Sequence, residues 1–191
     1  MVTPLTVTPA WLDAWFRASS RCSDRASWLE EALRAAPTAG KDFARLRLRD
    51  VTLTIPVEGG SNALKRHNAC PRISEHGKWR REHLGALDAV YRRTPFYAHL
   101  MPEFERIYSE SEGKTLEEFN NDMLLLALRW LDVGDGALRS ETQSESTGRT
   151  LLFTTIRHEL TSKINPGISI FDAIFRLGKE TGLAFFNVPH A

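Results

Sequence analysis

Three helical segments of this chain carry side chains that can take part in chemistry. The segment from Lys78 to Arg92 places Trp79, His83, Ala86, Leu87 and Val90 at i, i+4, i+7, i+8 and i+11, a single helical face. His83 therefore lies on the inner, apolar side. An imidazole with an ordinary pKa of about 6.5 can take a proton from an amine or hydroxyl near neutral pH. An inward histidine beside Trp79 and Leu87 can equally be a satisfied core group. Arg80 sits on the flank between the two faces, where its guanidinium fork suits a phosphate or carboxylate. It reads just as well as a solvated surface arginine, as Arg81, Arg92 and Arg93 do.

Asn120 falls on the inner side of a second apolar helix. A buried, unpaired amide costs about 1–3 kcal/mol there, so it must meet either a loop backbone or a ligand hydroxyl. Ser169 and Asp172 open a third helix. They most simply cap it, although the free N–H donors at its start can also hold an anionic group. His83 is thus the candidate catalytic residue, and Trp79, Arg80, Tyr91, Asn120, Ser169 and Asp172 are the candidate binding residues.

Other chemistries find less support. His76 precedes His83 by two helical turns, whereas helical metal-binding pairs are normally spaced i, i+4; no metal site is expected. Cys22 and Cys70 stand far apart with no C-x-x-C, which argues against a structural disulfide or a cysteine-rich zinc site. Gly59-Gly60 follows a strand, but no Lys-Ser/Thr comes after it, so a simple turn is favoured over a phosphate loop. G-x-G-x-x-G and G-x-S-x-G are both absent. No cofactor is expected.

The elements that must position these residues follow from pattern. Thr8 and Pro9 open an N-terminal helix with a Trp11, Leu12, Trp15, Phe16 stripe, and Ser27 caps a second helix that stops at Pro37 and Gly40. Leu46 and Leu48 alternate in one parity and Val51, Leu53, Ile55 and Val57 in the other. This predicts a turn or bulge near Arg49-Asp50 within a hairpin. Glu58 to Asn62 reads as a loop, and Pro102 as the start of a helix carrying Phe104, Ile107 and Tyr108. T-L-E-E at Thr115 is a capping box for a helix through Leu131, with Leu116, Phe119, Met123, Leu126, Ala127 and Trp130 inward. By composition, residues 133–149 read as a flexible loop. Leu151–Ile156 and Leu183–Val188 read as strands, with the third apolar helix between them ending near Gly178. Helices and strands mix without βαβ alternation. The expectation is an α+β fold, a single compact domain over 1–191 with a mixed sheet and several amphipathic helices, with α/β as second choice.

Composition bounds the rest. The 191 residues carry 25 Lys+Arg against 24 Asp+Glu, with 42% hydrophobic residues, the profile of a globular domain with a sizeable core. A net charge of +1 argues against coating a nucleic acid. No segment reaches the length of a membrane span or has the form of a signal peptide, so a cytoplasmic protein is expected. Oligomeric state is left open. The small basic concentration at Lys78, Arg80, Arg81, Arg92 and Arg93 suits a small anionic ligand better than a polyanion.

The stretches VTLTIPVEGG, RISEHGKWRREHLGALDAVYRRTPFYAHLMPEFERIY and KTLEEFNNDMLLLALRWL, in that order, resemble the WbqC-like protein family. INPGISIFDAIFRLGKE is similar to that family's closing motif of Pro-Asn-Leu-Ser-Ile followed by an Asp and a Gly. The likeness runs from about Leu53 to Trp130 and again from Leu151 to Glu180. The N-terminal part departs from the pattern: TPAWLDAWF and FARLRLR stand where the family has a Pro/Tyr-rich segment and an Arg-Asn-Arg motif, and Arg45 or Arg47 can stand in for a family arginine. The resemblance implies a role among O-antigen and other surface-polysaccharide genes, with glycine (aminoacyl) transfer to a sugar as the suggested reaction. In that reading Arg80 holds an anionic group such as that of a nucleotide sugar, His83 is the base and Asn120 orients the sugar. The competing expectation is a non-catalytic binding or scaffold protein of a glycan system.

Overall fold

The computed structural model describes residues 5–7, 43–64, 71–131, 168–179 and 181. The expected N-terminal helices, both cysteines, the 133–149 loop and the strands at 151–156 and 183–188 lie outside these residues. The described part is α+β. It holds strands β1 (Arg45–Arg47) and β2 (Thr52–Thr54), then helices α1 (Gly60–Ala63), α2 (Trp79–Tyr91), α3 (Tyr97–Ser109), α4 (Leu116–Trp130) and α5 (Ile170–Leu177).

The parity change around Asp50 resolves as predicted. β1 and β2 pair antiparallel, with Leu46 opposite Leu53, and the Leu48 N–H donates to the Val51 carbonyl at 2.8 Å to close the turn. Leu46, Leu48, Leu53, Ile55 and Val57 become buried because the hairpin folds back on itself, and Val51 at the turn is half-buried. The described strands form a two-stranded antiparallel sheet; the other strands of the expected mixed sheet lie outside the described residues. Neighbouring extended segments continue the backbone pairing without widening that sheet. Thr6 bonds the Arg45 carbonyl through its hydroxyl and accepts from the Arg47 N–H at 2.9 Å. Val57 bridges Ile73, and Arg72 bridges Thr115.

Two local expectations are corrected. Within the Glu58–Asn62 loop the chain makes the single helical turn α1, entered through Gly59 at φ 77°. Helix α3 starts at Tyr97 rather than at Pro102, which lies inside it. Proline removes a helical donor, but Leu100 and Met101 ahead of it and Phe104, Ile107 and Tyr108 after it are all buried on one stripe. Packing of that stripe outweighs the local penalty.

The helices enclose the core with aromatic contacts. Phe104 of α3 meets Phe171 and Phe175 of α5 at 4.9 and 5.6 Å between ring centroids. Tyr91 of α2 stacks on Phe175 at 4.2 Å and 7°. The capping box forms as read: Thr115 accepts from the Glu118 N–H, and the Glu118 carboxylate accepts from the Thr115 N–H at 2.8 Å. Among the described residues no helix is long and apolar enough to cross a membrane.

Gly178 ends α5 at φ 56° and ψ −135°, a conformation that side chains rarely tolerate. A Cβ there would lie 2.3 Å from the Phe96 ring, and that ring in turn packs edge-on against Trp130. Gly178→Ala is expected to destabilise the protein by about 2–4 kcal/mol, read from the midpoint of urea unfolding. A loss below about 0.5 kcal/mol, the scale of an ordinary surface change, would show that the α5–Phe96 contact is not tight.

Candidate functional site

The seven expected site residues fall into two groups at opposite ends of α2 and a third place on α4. At the N-terminal end Trp79 and His83 are buried, at 5% and 6% exposure. The His83 ring lies 5.2 Å from Trp79 and 5.8 Å from Tyr108 between centroids, and Phe119 closes the cluster. His83 Nδ1 is 3.2 Å from the Tyr108 hydroxyl, and the ring also hydrogen-bonds the Thr54 backbone. Donation to the Thr54 carbonyl leaves Nδ1 to accept from Tyr108, the arrangement of a neutral imidazole. Burial lowers its pKa from 6.5 to about 4, against the smaller upward pull of the Thr54 bond. The same desolvation holds the Tyr108 phenol above its usual range.

Arg80 reaches outward from this cluster. Its guanidinium grips Glu75 at 2.7 and 3.0 Å, its Nε donates to Ser111 at 2.7 Å, and it lies 4.6 Å above the Trp79 ring. The Glu75 carboxylate is held below its ordinary pKa chiefly by that arginine. His76 stands exposed before α2 begins, so it shares no helical face with His83.

Tyr91, Ser169 and Asp172 meet at the other end of α2, about 18 Å along the helix from Trp79. The Tyr91 hydroxyl donates to Asp172 at 2.9 Å. Arg49 and Arg176 approach the second carboxylate oxygen at 3.3 and 3.6 Å. Burial, then the Asp172 charge, raises the Tyr91 pKa beyond its normal range. Ser169 caps α5 by accepting from the Phe171 N–H, while its own N–H donates to the Arg47 carbonyl at 2.7 Å. Asn120 lies on α4, fully buried, and donates to the Phe43 carbonyl at 2.9 Å.

Open space near the first group lies between α2 and α3. A groove of about 540 Å³ is lined by Arg80, Arg81, Gly85 and Asp88 from α2 and by Met101, Glu105 and Tyr108 from α3. His83 does not line it; Tyr108 does, although it is 1% exposed and its hydroxyl bonds His83. The contacts His83–Tyr108 and Asp88–Tyr97 show that the two helices run antiparallel. Asp88 is compensated by Arg92 at 2.5 Å and by the Tyr97 hydroxyl. These bonds, Tyr97 first, hold the Asp88 carboxyl below its ordinary pKa.

The sequence pattern read Arg81 as a solvated surface arginine and so passed over this groove. Gly85 is the residue that marks it. A mid-helix glycine costs about 1 kcal/mol relative to alanine, and a Cβ there would meet nothing within 4 Å. No close packing calls for glycine at that place.

The model of the WbqC-like protein family matches residues 44–164. The match begins upstream of Leu53, within FARLRLR, and the closing motif around Ser169 and Asp172 lies mostly past its end. No curated protein and no solved structure is significantly similar to the chain.

The buried imidazole sets a pH dependence. Below about 6.5 the unfolded chain takes up a proton that folded His83 refuses until about pH 4. Stability from this group is therefore complete above pH 6.5 and falls as pH drops to 4, by on the order of 2–3 kcal/mol. A ¹⁵N-edited NMR titration is expected to show His83 neutral at pH 5.5; a midpoint near 6.5 would contradict the buried, hydrogen-bonded placement.

Proposed function

The chain belongs to the WbqC-like protein family, and from that premise we propose that it is a cytoplasmic transferase of bacterial surface-polysaccharide (O-antigen) biosynthesis. The proposed reaction passes an aminoacyl group, glycyl in the simplest case, to a sugar or nucleotide sugar. A C–N or C–O bond forms to the acyl carbon, the bond to the activating group breaks, and the attacking amine or hydroxyl loses a proton. The observation that carries this reading is the α2–α3 groove, which has the Arg80 and Arg81 cations on its lining and, in its wall, the buried Tyr108 whose hydroxyl contacts His83. Its volume suits a small organic ligand.

Residue roles follow from that placement. Arg80 is preorganised by Glu75 and Ser111 to edge the anionic subsite, and Arg81 supplies the uncompensated charge. The Tyr108 hydroxyl contacts His83 behind the groove wall, and this pair is the proposed route for the proton; with a pKa of about 4 the imidazole takes it only as the new acyl bond forms. Trp79 holds both rings in place. Asn120, Tyr91, Ser169 and Asp172 act from behind the site, by fixing α4, α2 and α5.

A second reading, a binding or scaffold protein of the same glycan system, is favoured by one observation: Trp79, His83 and Asn120 are packed among protein partners instead of lining a pocket. Two substitutions separate the readings. Gly85→Leu fills open space, so the fold is expected to survive, while the melting-temperature rise given by UDP-glucose is lost. Tyr108→Phe keeps the ring packing and removes the hydroxyl. The transferase reading expects it to retain UDP-glucose binding and to lose about 10²-fold or more in surface-glycan synthesis by a complemented deletion strain. Unchanged glycan with Tyr108→Phe selects the scaffold reading, and no melting shift with any nucleotide sugar removes the groove from the account.

A further inference from the structure

Four ionic side chains line the α2–α3 groove, and they are not equivalent. Arg80 is compensated by Glu75, and Asp88 by Arg92 and Tyr97. Arg81 and Glu105, both exposed, make no ion pair or side-chain hydrogen bond among the described residues. They line one groove with opposite charge and still do not meet. The antiparallel register explains the gap. With His83 opposite Tyr108 and Asp88 opposite Tyr97, Glu105 falls across from Gly85, one helical turn from Arg81, about 5–6 Å along the axis. Gly85 contributes no side chain to answer the Glu105 carboxylate and leaves space in front of it.

Resting on the nucleotide-sugar reading above, we propose that the ligand of this groove is an amino-sugar nucleotide, its diphosphate held by Arg81 and its free ammonium by Glu105. A neutral sugar leaves Glu105 without a counter-charge in the complex, so the carboxylate gives up part of its hydration to the ligand with nothing in return. An ammonium converts that loss into a charge-assisted hydrogen bond. An N-acetylated amino group carries no charge and is treated as the neutral sugar is. Placing the amine beside α3 also puts it next to Tyr108, the phenol in contact with His83, on the nitrogen that an acyl acceptor would use.

Isothermal titration with UDP-glucosamine, UDP-glucose and UDP-N-acetylglucosamine tests this on the whole protein. UDP-glucosamine is expected to bind about tenfold more tightly than the other two. Glu105→Gln, an exposed substitution that leaves the core untouched, should erase that preference without weakening UDP-glucose. Arg81→Gln should weaken all three alike. Equal affinities for the three sugars, or a preference that survives Glu105→Gln, overturn the amino-sugar assignment while leaving the groove as a nucleotide-sugar site. Absence of binding by all three overturns the underlying reading as well.

Discussion

A buried carboxylate holds this structure together. Asp172 stands in the first turn of α5 at 4% exposure, where an uncompensated charge would cost several kcal/mol. Its partners come from three parts of the chain: Tyr91 from the end of α2, Arg49 from the turn of the β1–β2 hairpin and Arg176 from α5 itself. Each partner satisfies the carboxylate only if its own element is correctly placed. The same contact sets the stack of Tyr91 on Phe175, and through Phe104 and Phe171 it ties α3 to α5. Such a pair is strongly destabilising when one partner is lost, and so it specifies a particular arrangement of elements as much as it stabilises one.

The opposite end of α2 depends on that arrangement. With α2 and α3 fixed as an antiparallel pair, Trp79, His83, Tyr108 and Phe119 close into one aromatic cluster. Dense packing there keeps His83 neutral and directs the Tyr108 hydroxyl to it. Tyr108 and His83 are both buried, at 1% and 6% exposure. In the proposed function, polar contact with the ligand falls to the lining residues Arg81 and Glu105, and the histidine takes part through its contact with the phenol.

Much of this frame was legible in the sequence, because helical periodicity and caps are local signals. The Trp79–His83–Leu87 face, the Thr115–Glu118 capping box, the Ser169 cap and the turn near Asp50 all appear where pattern placed them. Pattern misjudged α3, since the penalty at Pro102 is local and the packing that offsets it is not. Among site residues, periodicity put His83 and Asn120 inward correctly but could not tell inward from pocket-lining. Arg81 read as an ordinary surface charge and Glu105 drew no reading, because the pairing of two helix faces across a gap is a tertiary fact. Gly85, a mid-helix glycine about one turn from both Arg81 and Asp88, was the one local trace of that gap.

The central claim is that ligand enters between α2 and α3 and not at the Asp172 end of α2. Backbone amide shift perturbation on addition of UDP-glucosamine measures this most directly. The account predicts the largest shifts at Arg81, Gly85, Met101 and Glu105, with Arg49, Ser169 and Asp172 nearly unmoved. Shifts concentrated at Ser169, Asp172 and Arg49 would contradict it and move the site to the α5 N-terminus.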